Sequence, residues 1–286
     1  MRRNAHRAMA AHFEILLPGI AEKRGAQIAQ VCFDEIDRIE AEISRWNPSS
    51  ETGVINSLGQ GESTMVSEHC FRCLHISAKM YRATAGLFDV TIGPLLRCWL
   101  TNEYQPRTPS DSELNKARST TGFDKLRLDS ARQEVTALTE GLQVDFGGIG
   151  KGYALDVVAK MLRADFDIHH FLLNAGDSTV YAEGKDWTTG AGGQKVTLDR
   201  RALSGSSITV KGNHFINPHS GRPVNMGLER AWALARTAAE SDALSTSLML
   251  MSNKQVRAFC EMQPSCGAKR RETNGSEAVF GAWPRA

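Results

Sequence analysis

The sequence has no long apolar run, no dense cysteine framework and almost no net charge. No stretch approaches the roughly 18 uninterrupted apolar residues that a membrane-spanning helix needs. The start, MRRNAHRAMAAHFEILLPG, is basic like an export signal. His6, Arg7, His12 and Glu14 break its apolar stretch, and no cysteine follows it to accept a lipid. A cytoplasmic protein without membrane insertion is therefore expected. Lys and Arg number 34 against 32 Asp and Glu, a formal charge of +2. That balance does not call for nucleic acid or an anionic membrane, which favour a dense basic footprint. The one compact basic run, KRR at 269–271, sits among polar residues and reads as solvated surface.

Six cysteines in 286 residues are too few for a disulfide scaffold. Cys70 and Cys73 form C-F-R-C with His69 and His75 nearby, but a second ligand pair for zinc is missing. Leu74 intervenes where C-x-x-C-H haem attachment needs histidine. The run from Val66 to Gly86 has helical periodicity, so these thiols read as core packing.

The remaining pattern is that of an ordinary folded chain, 41% apolar and 23% charged. AHFEILL (11–17) suits a strand. Apolar residues at Ile28, Cys32, Ile36, Ile39 and Ile43 mark an amphipathic helix from Glu22 to Trp46. A second helix spans about 67–84, and Ser110 with Glu113 forms a capping box for a short third. KLRLD and EVTAL read as a hairpin, with LQVDF as its third strand. A helix follows over YALDVVAKML. FLLNAG, STVYAEG, KVTLD, ALSGS and HFIN suggest a run of strands, and ERAWALAR another. Helices are expected over 238–251 and in NKQVRAFCEM, and a last strand in 276–286. Strands in clusters between a few long helices imply an α+β fold. With no repeat and no composition shift, one large domain is expected.

Four stretches carry candidate chemistry. In DFGGIGKG (145–152), glycines let backbone N–H groups approach an anion and the next helix offers its dipole. A tight turn explains the same residues equally well. In ESDALST (240–246), Asp242 and Thr246 share a helix face, a donor pair suited to a hard cation. A helix N-cap at Ser241 or Asp242 is the simpler reading of those residues alone. HFINPHSGRP (214–223) marks a turn after a short strand, with His214 a base, a ligand partner or a core histidine. In AGLFDVTIGP (85–94), Asp89 either meets a ligand's polar edge or caps a turn.

The order and spacing of these blocks resembles the FAD:protein FMN transferase (ApbE-like) family over about residues 9–251. MAAHF (9–13), SRWNP (44–48), the Gly86–Pro94 block, the Asp145–Asp156 block and the His214–Pro223 block stand where that family has its motifs. The resemblance implies a T-fold-related domain over 9–286, preceded by a short extension at 1–8. It implies Mg²⁺-dependent transfer of the FMN half of FAD to a Thr or Ser hydroxyl of an acceptor flavoprotein, with release of AMP. Two alternatives share the site: an Mg²⁺-dependent FAD pyrophosphohydrolase, and a non-catalytic FAD-binding protein. A homodimer is compatible with either.

Carried over by position, the resemblance assigns FAD contacts to Met9, Trp46, Leu87, Phe88, Asp89, Asp145, Lys151 and Ile216. It assigns metal ligation to the Gly148 carbonyl and to the Asp242 and Thr246 side chains, with His214 and Asp242 as the residues nearest the chemistry. The sequence departs from the family pattern at Asn217, where Asp is usual, at Ala11, where Thr is usual, at Ser245, and at NAGDS, which has one glycine fewer than N-x-G-G-D.

Overall fold

A computed structural model describes residues 3–101, 105–208, 215–224 and 227–284. The main sheet is antiparallel throughout, in the order β1-β2-β6-β7-β10-β11-β12-β13. Its strands are β1 (Arg3–Ala8), β2 (Ala11–Leu16), β6 (Phe171–Ala175), β7 (Thr179–Glu183), β10 (Arg201–Ser207), β11 (Leu228–Ala235), β12 (Gly267–Glu272) and β13 (Glu277–Gly281). A small sheet of β3 (Ser63–Met65), β5 (Glu134–Ala137) and β4 (Leu126–Asp129) stands apart, and β8 (Trp187–Ala191) pairs with β9 (Gln194–Leu198). The class is α+β and the chain forms a single domain. Residues 3–8, read from sequence as an extension, are the outer strand of the main sheet, in register with β2 from Arg3 opposite Leu16 to Ala8 opposite Ala11.

The strands' two-residue alternation decides what covers each face of this sheet. Phe13, Ile15, Phe171, Leu173, Tyr181, Ala202, Ala231 and Ala233 point inward to the large core with the helices. That core takes α1 (Glu22–Ile43) through Ile28, Cys32, Ile36, Ile39 and Ile43, as its spacing requires. It also takes α3 (Glu68–Ala83), α6 (Gly150–Ala164) and α7 (Ala238–Leu248). Leu172, Val180, Ala182, Leu203, Trp232 and Leu234 point the other way. They form a second cluster with Ala191, Val196 and Leu198 of the β8–β9 hairpin. Short helices α2 (Glu51–Ile55), α4 (Gly93–Trp99), α5 (Asp111–Thr120) and α8 (Asn253–Met262) complete the described residues. None of the described helices is long and apolar enough to cross a membrane.

Cys70 and Cys73 lie buried on the inner face of α3, and burial raises both thiols above their ordinary pKa. All six cysteines are free and buried. Ser110 and Glu113 make the expected capping box at the start of α5.

Three expectations fail. LQVDF is not a strand: the third strand of the small sheet is β3, a short segment with little sequence signal. The Val144 peptide is instead gripped at both ends by the Asn56 side chain, and Asp145 N–H donates to Val90 O at 2.7 Å. Among the described residues of HFIN, 215–217, the pairing is an isolated bridge between Ile216 and Pro223. The KRR run is not solvated surface, since it lies in β12. Lys269 is 3% exposed, pairs with Glu277 at 2.9 Å and donates to Ala191 O at 3.2 Å. Arg270 is 4% exposed and donates to Asn253 Oδ1. Their long stems cover Trp232 and the helix layer, while the charged ends find partners.

Candidate active site at the end of the main sheet

The β1–β2 turn, the β6–β7 turn and the last residues of β10 all lie at one end of the main sheet. The loop 145–149 and the buried helix α7 meet them there. α7 is capped by Thr237, whose side chain accepts from Glu240 N–H. Asp242 is therefore not a cap: it lies within the helix, 4% exposed. Its Oδ2 accepts from Gly152 N–H at 3.2 Å, and its Oδ1 from Ser178 Oγ at 3.3 Å. One carboxylate thus joins α6, α7 and the β6–β7 turn.

Thr246 stands one turn on, half-exposed where its neighbours from Ser241 to Leu250 are buried, so it faces the opening. Its Oγ1 is 3.5 Å from Asp242 O. Gly148 lies against it. A Cβ on Gly148 would stand 3.3 Å from Thr246 Oγ1 and 3.3 Å from the Phe88 ring, so a side chain there would crowd both. Asp242, Thr246 and Gly148 are brought together, as the helix face and the glycine loop implied separately.

Around this trio the loop is tightly tied. Asp145 Oδ1 accepts from Gly147 N–H at 2.7 Å, and its Oδ2 pairs with Arg45 at 3.2 Å. Arg45 also stacks on Trp46, 4.2 Å from the ring centre, and Trp46 is 58% exposed. Lys151 Nζ curls back to Gly147 O at 3.4 Å. Leu87 and Phe88 are buried. Asp89 is buried as well, and its Oδ1 accepts from both the N–H and the hydroxyl of Thr91. Burial pushes its carboxyl up to about 6, against those two bonds. Asp89 thus performs the turn-capping role. Met9 occupies the β1–β2 turn with φ 49 beside Ala10 at φ 55, the doubly left-handed conformation of a two-residue hairpin usually given to Asn or Gly.

One assigned contact is packed elsewhere. Ile216 is packed with Leu95, Cys98, Leu114 and Ala117 in a satellite core under α4 and α5. His214 lies outside the described residues. Asn217 Oδ1 accepts from His219 and Ser220 N–H, a turn role that Asn performs as well as Asp. His219 Nε2 bonds Ala85 O at 2.9 Å, tying this turn to the 85–94 loop.

Other residues of the site were not legible from single motifs. Ser245 is wholly buried and links Asp242 O to Ser206 Oγ. Asp156 accepts from Ala238 N–H at 2.7 Å and Ala239 N–H at 2.8 Å, holding the first turn of α7. Burial lifts its carboxyl from 3.8 to about 7 despite those bonds. Gly152 and Asp156 are four apart on α6, so one helix face grips α7 at both points. That spacing was the available signal; the identity of the gripped helix was not.

The sequence profile of the ApbE family matches residues 9–268, nearly the whole chain and every block above. The chain belongs to the ApbE family. Among its relatives, the FAD:protein FMN transferase of Escherichia coli K12 is 26% identical over 278 residues, covering 88% of this chain and 78% of that protein. The protein of the same name from Vibrio cholerae is 28% identical over 273 residues, covering 85% and 78%. The fold matches the apo flavinyl transferase ApbE of Pseudomonas stutzeri with a TM-score of 0.86 at 22% identity, over 98% of this chain and 95% of that one. The Vibrio cholerae flavin transferase ApbE gives 0.82 at 22% identity, over 98% and 96%.

The ApbE donor set fits Mg²⁺ in its chemistry. Among the described residues no cluster of three His, Cys, Asp or Glu could hold a metal. The trio offers one carboxylate, one hydroxyl and one carbonyl, all hard oxygen donors. Mg²⁺ is commonly held by one or two carboxylates, with waters and substrate phosphates filling the remaining positions.

Proposed function

We infer that this chain transfers the FMN half of FAD to a Thr or Ser hydroxyl of an acceptor flavoprotein and releases AMP. The observation that carries the reading is the meeting of Asp242, Thr246 and Gly148 beside the Asp145 loop, in a chain of the ApbE family. On this reading Asp242, Thr246 Oγ1 and the Gly148 carbonyl hold Mg²⁺. When bound there, the ion would supply charge neutralisation at the reacting phosphate. Transfer of this kind needs positioning and electrostatic support more than covalent help from protein groups.

The chain's own residues do the positioning. Gly152 N–H and Ser178 Oγ fix both oxygens of Asp242, so its carboxylate is oriented before any ligand arrives. Trp46 presents a flat face for an aromatic ring of FAD. Asp145, held by Arg45, is a fixed acceptor at the mouth of the loop. Lys151 stays close to the glycine loop, where its ammonium balances phosphate charge.

Incubation with FAD, Mg²⁺ and an acceptor subunit tests the reading by AMP release and acceptor mass. AMP with flavin-labelled acceptor is the expected result. AMP with free FMN identifies a pyrophosphohydrolase, and bound FAD without AMP identifies a carrier; either outcome overturns transfer.

A further inference from the structure

A side chain, not a strand, pairs with the peptide that leads into the 145–149 loop. Gln143 O accepts from Gly93 N–H at 3.2 Å, and Asp145 N–H donates to Val90 O at 2.7 Å. Between them, the Val144 peptide meets the Asn56 amide in two bonds. Asn56 Nδ2 donates to Val144 O at 3.0 Å, and Val144 N–H donates to Asn56 Oδ1. A primary amide carries the donor and acceptor of a backbone peptide, so Asn56 replaces a neighbouring strand for one residue. Val144 is 1% exposed, so without Asn56 its peptide is left unpaired or must move.

Asn56 is itself held in a rigid frame. It follows α2, and its N–H returns to Thr52 O at 3.0 Å. Ser50 Oγ accepts from Gly53 N–H at 2.9 Å and donates to Ser44 O at 2.6 Å. Gly53 packs on Asn47 O and Pro48 O, with no room for a Cβ. Glu51 accepts from Ser67 N–H at the start of α3 at 2.9 Å. α2 is thus fixed both to the SRWNP turn, which carries Trp46, and to α3.

Two ties therefore join segment 44–56 to the entry of the loop. One is the Arg45–Asp145 ion pair at 3.2 Å, and the other is the Asn56–Val144 pair one residue earlier. An ion pair alone leaves the loop free to pivot about one oxygen. The two-bond amide pair removes that rotation and fixes the register. Misplacement of a ligand-binding group by about 1 Å is enough to cost affinity or rate heavily.

We propose that Asn56 is a positioning residue for FAD: its two bonds to the Val144 peptide set where Asp145 stands relative to Trp46, and so the fit of both to the dinucleotide. The proposal rests on the reading of Asp145 and Trp46 as FAD contacts above. Its test titrates FAD calorimetrically into the full chain without Mg²⁺, at pH 5 and pH 8, with circular dichroism confirming the fold. Asn56→Leu keeps the size and loses both bonds, so FAD binds about tenfold more weakly or worse at both pH values. Asn56→Asp reads the bonds directly. Ionised, it has no donor for Val144 O; protonated, its O–H donates there and its other oxygen still accepts from Val144 N–H. Its deficit against wild type is about tenfold at pH 8 and shrinks to about threefold or less at pH 5. Each variant is compared with wild type at the same pH, so the titration of Asp89 cancels.

FAD affinity in Asn56→Leu equal to wild type overturns the proposal, as does an Asn56→Asp deficit that is the same at both pH values. If Asn56→Leu does not fold, Asn56→Asp, which keeps the shape, decides alone. A wild type that does not bind FAD overturns this proposal and the transfer reading together. If the Asn56 pattern holds while acceptor labelling fails, the transfer reading falls and the positioning role stands.

Discussion

Asp156→Asn separates two effects that the structure places on one carboxylate. In the folded protein the Asp156 carboxyl is lifted from 3.8 to about 7, chiefly by burial. A raised carboxyl contributes stability that is complete below its unfolded value and lost as pH rises through its folded value. Between pH 5 and pH 8 that loss is about 3 kcal/mol, at 1.36 kcal/mol for each unit over which only the unfolded state is ionised. Asn does not titrate, so the variant escapes the loss. It does, however, present an amide NH₂ to one of the two α7 N–H groups that Asp156 now satisfies, at a cost of about 1–3 kcal/mol at every pH. The variant is therefore less stable than the parent at pH 5, and the gap closes or reverses by pH 8. Urea unfolding of both proteins at the two pH values, followed by circular dichroism without Mg²⁺, measures this. Asp89, raised to about 6, titrates in both proteins and cancels in the comparison. A stability difference that stays constant between the two pH values would refute the assignment of that burial penalty to Asp156.

Other substitutions probe neighbouring parts of the site. Gly152→Ala drives a methyl into Ala238 O, forcing α6 and α7 apart; a loss of about 1–3 kcal/mol in urea unfolding is expected, and an unchanged midpoint would contradict the packing. Asp242→Asn keeps an acceptor for Gly152 N–H but removes the anionic donor. Mg²⁺ affinity by calorimetry should fall at least tenfold with the fold retained, and full Mg²⁺ binding would remove Asp242 from the ligand set. Trp46→Ala alters an exposed residue, so stability should hold within about 0.5 kcal/mol while FAD affinity falls severalfold. Unaltered FAD binding would dismiss the stacking role.

Local signals were legible where one segment contained the whole cause. The isoleucine spacing of α1 and the Ser110–Glu113 box needed no partner to be read. The KRR run was misread because its environment is non-local: Glu277, Ala191 and Trp232 convert an apparent solvated patch into a buried strand. LQVDF failed for the same reason, since Asn56 satisfies the peptide that a neighbouring strand was expected to satisfy. Asp242 was ambiguous between ligand and cap, and only the position of Thr237 as the actual cap removed the second option.

By itself the sequence determined the family, the helix faces and the block order, because periodicity and motif spacing are properties of the chain alone. It also placed Asp242 and Thr246 on one helix face. Tertiary structure decided what that face meets. It set Gly148 against Thr246 and oriented Asp242 through Gly152 and Ser178. It gripped the first turn of α7 with Asp156. Each of these depends on burial and on contacts between residues far apart in the chain, which one-dimensional order does not carry.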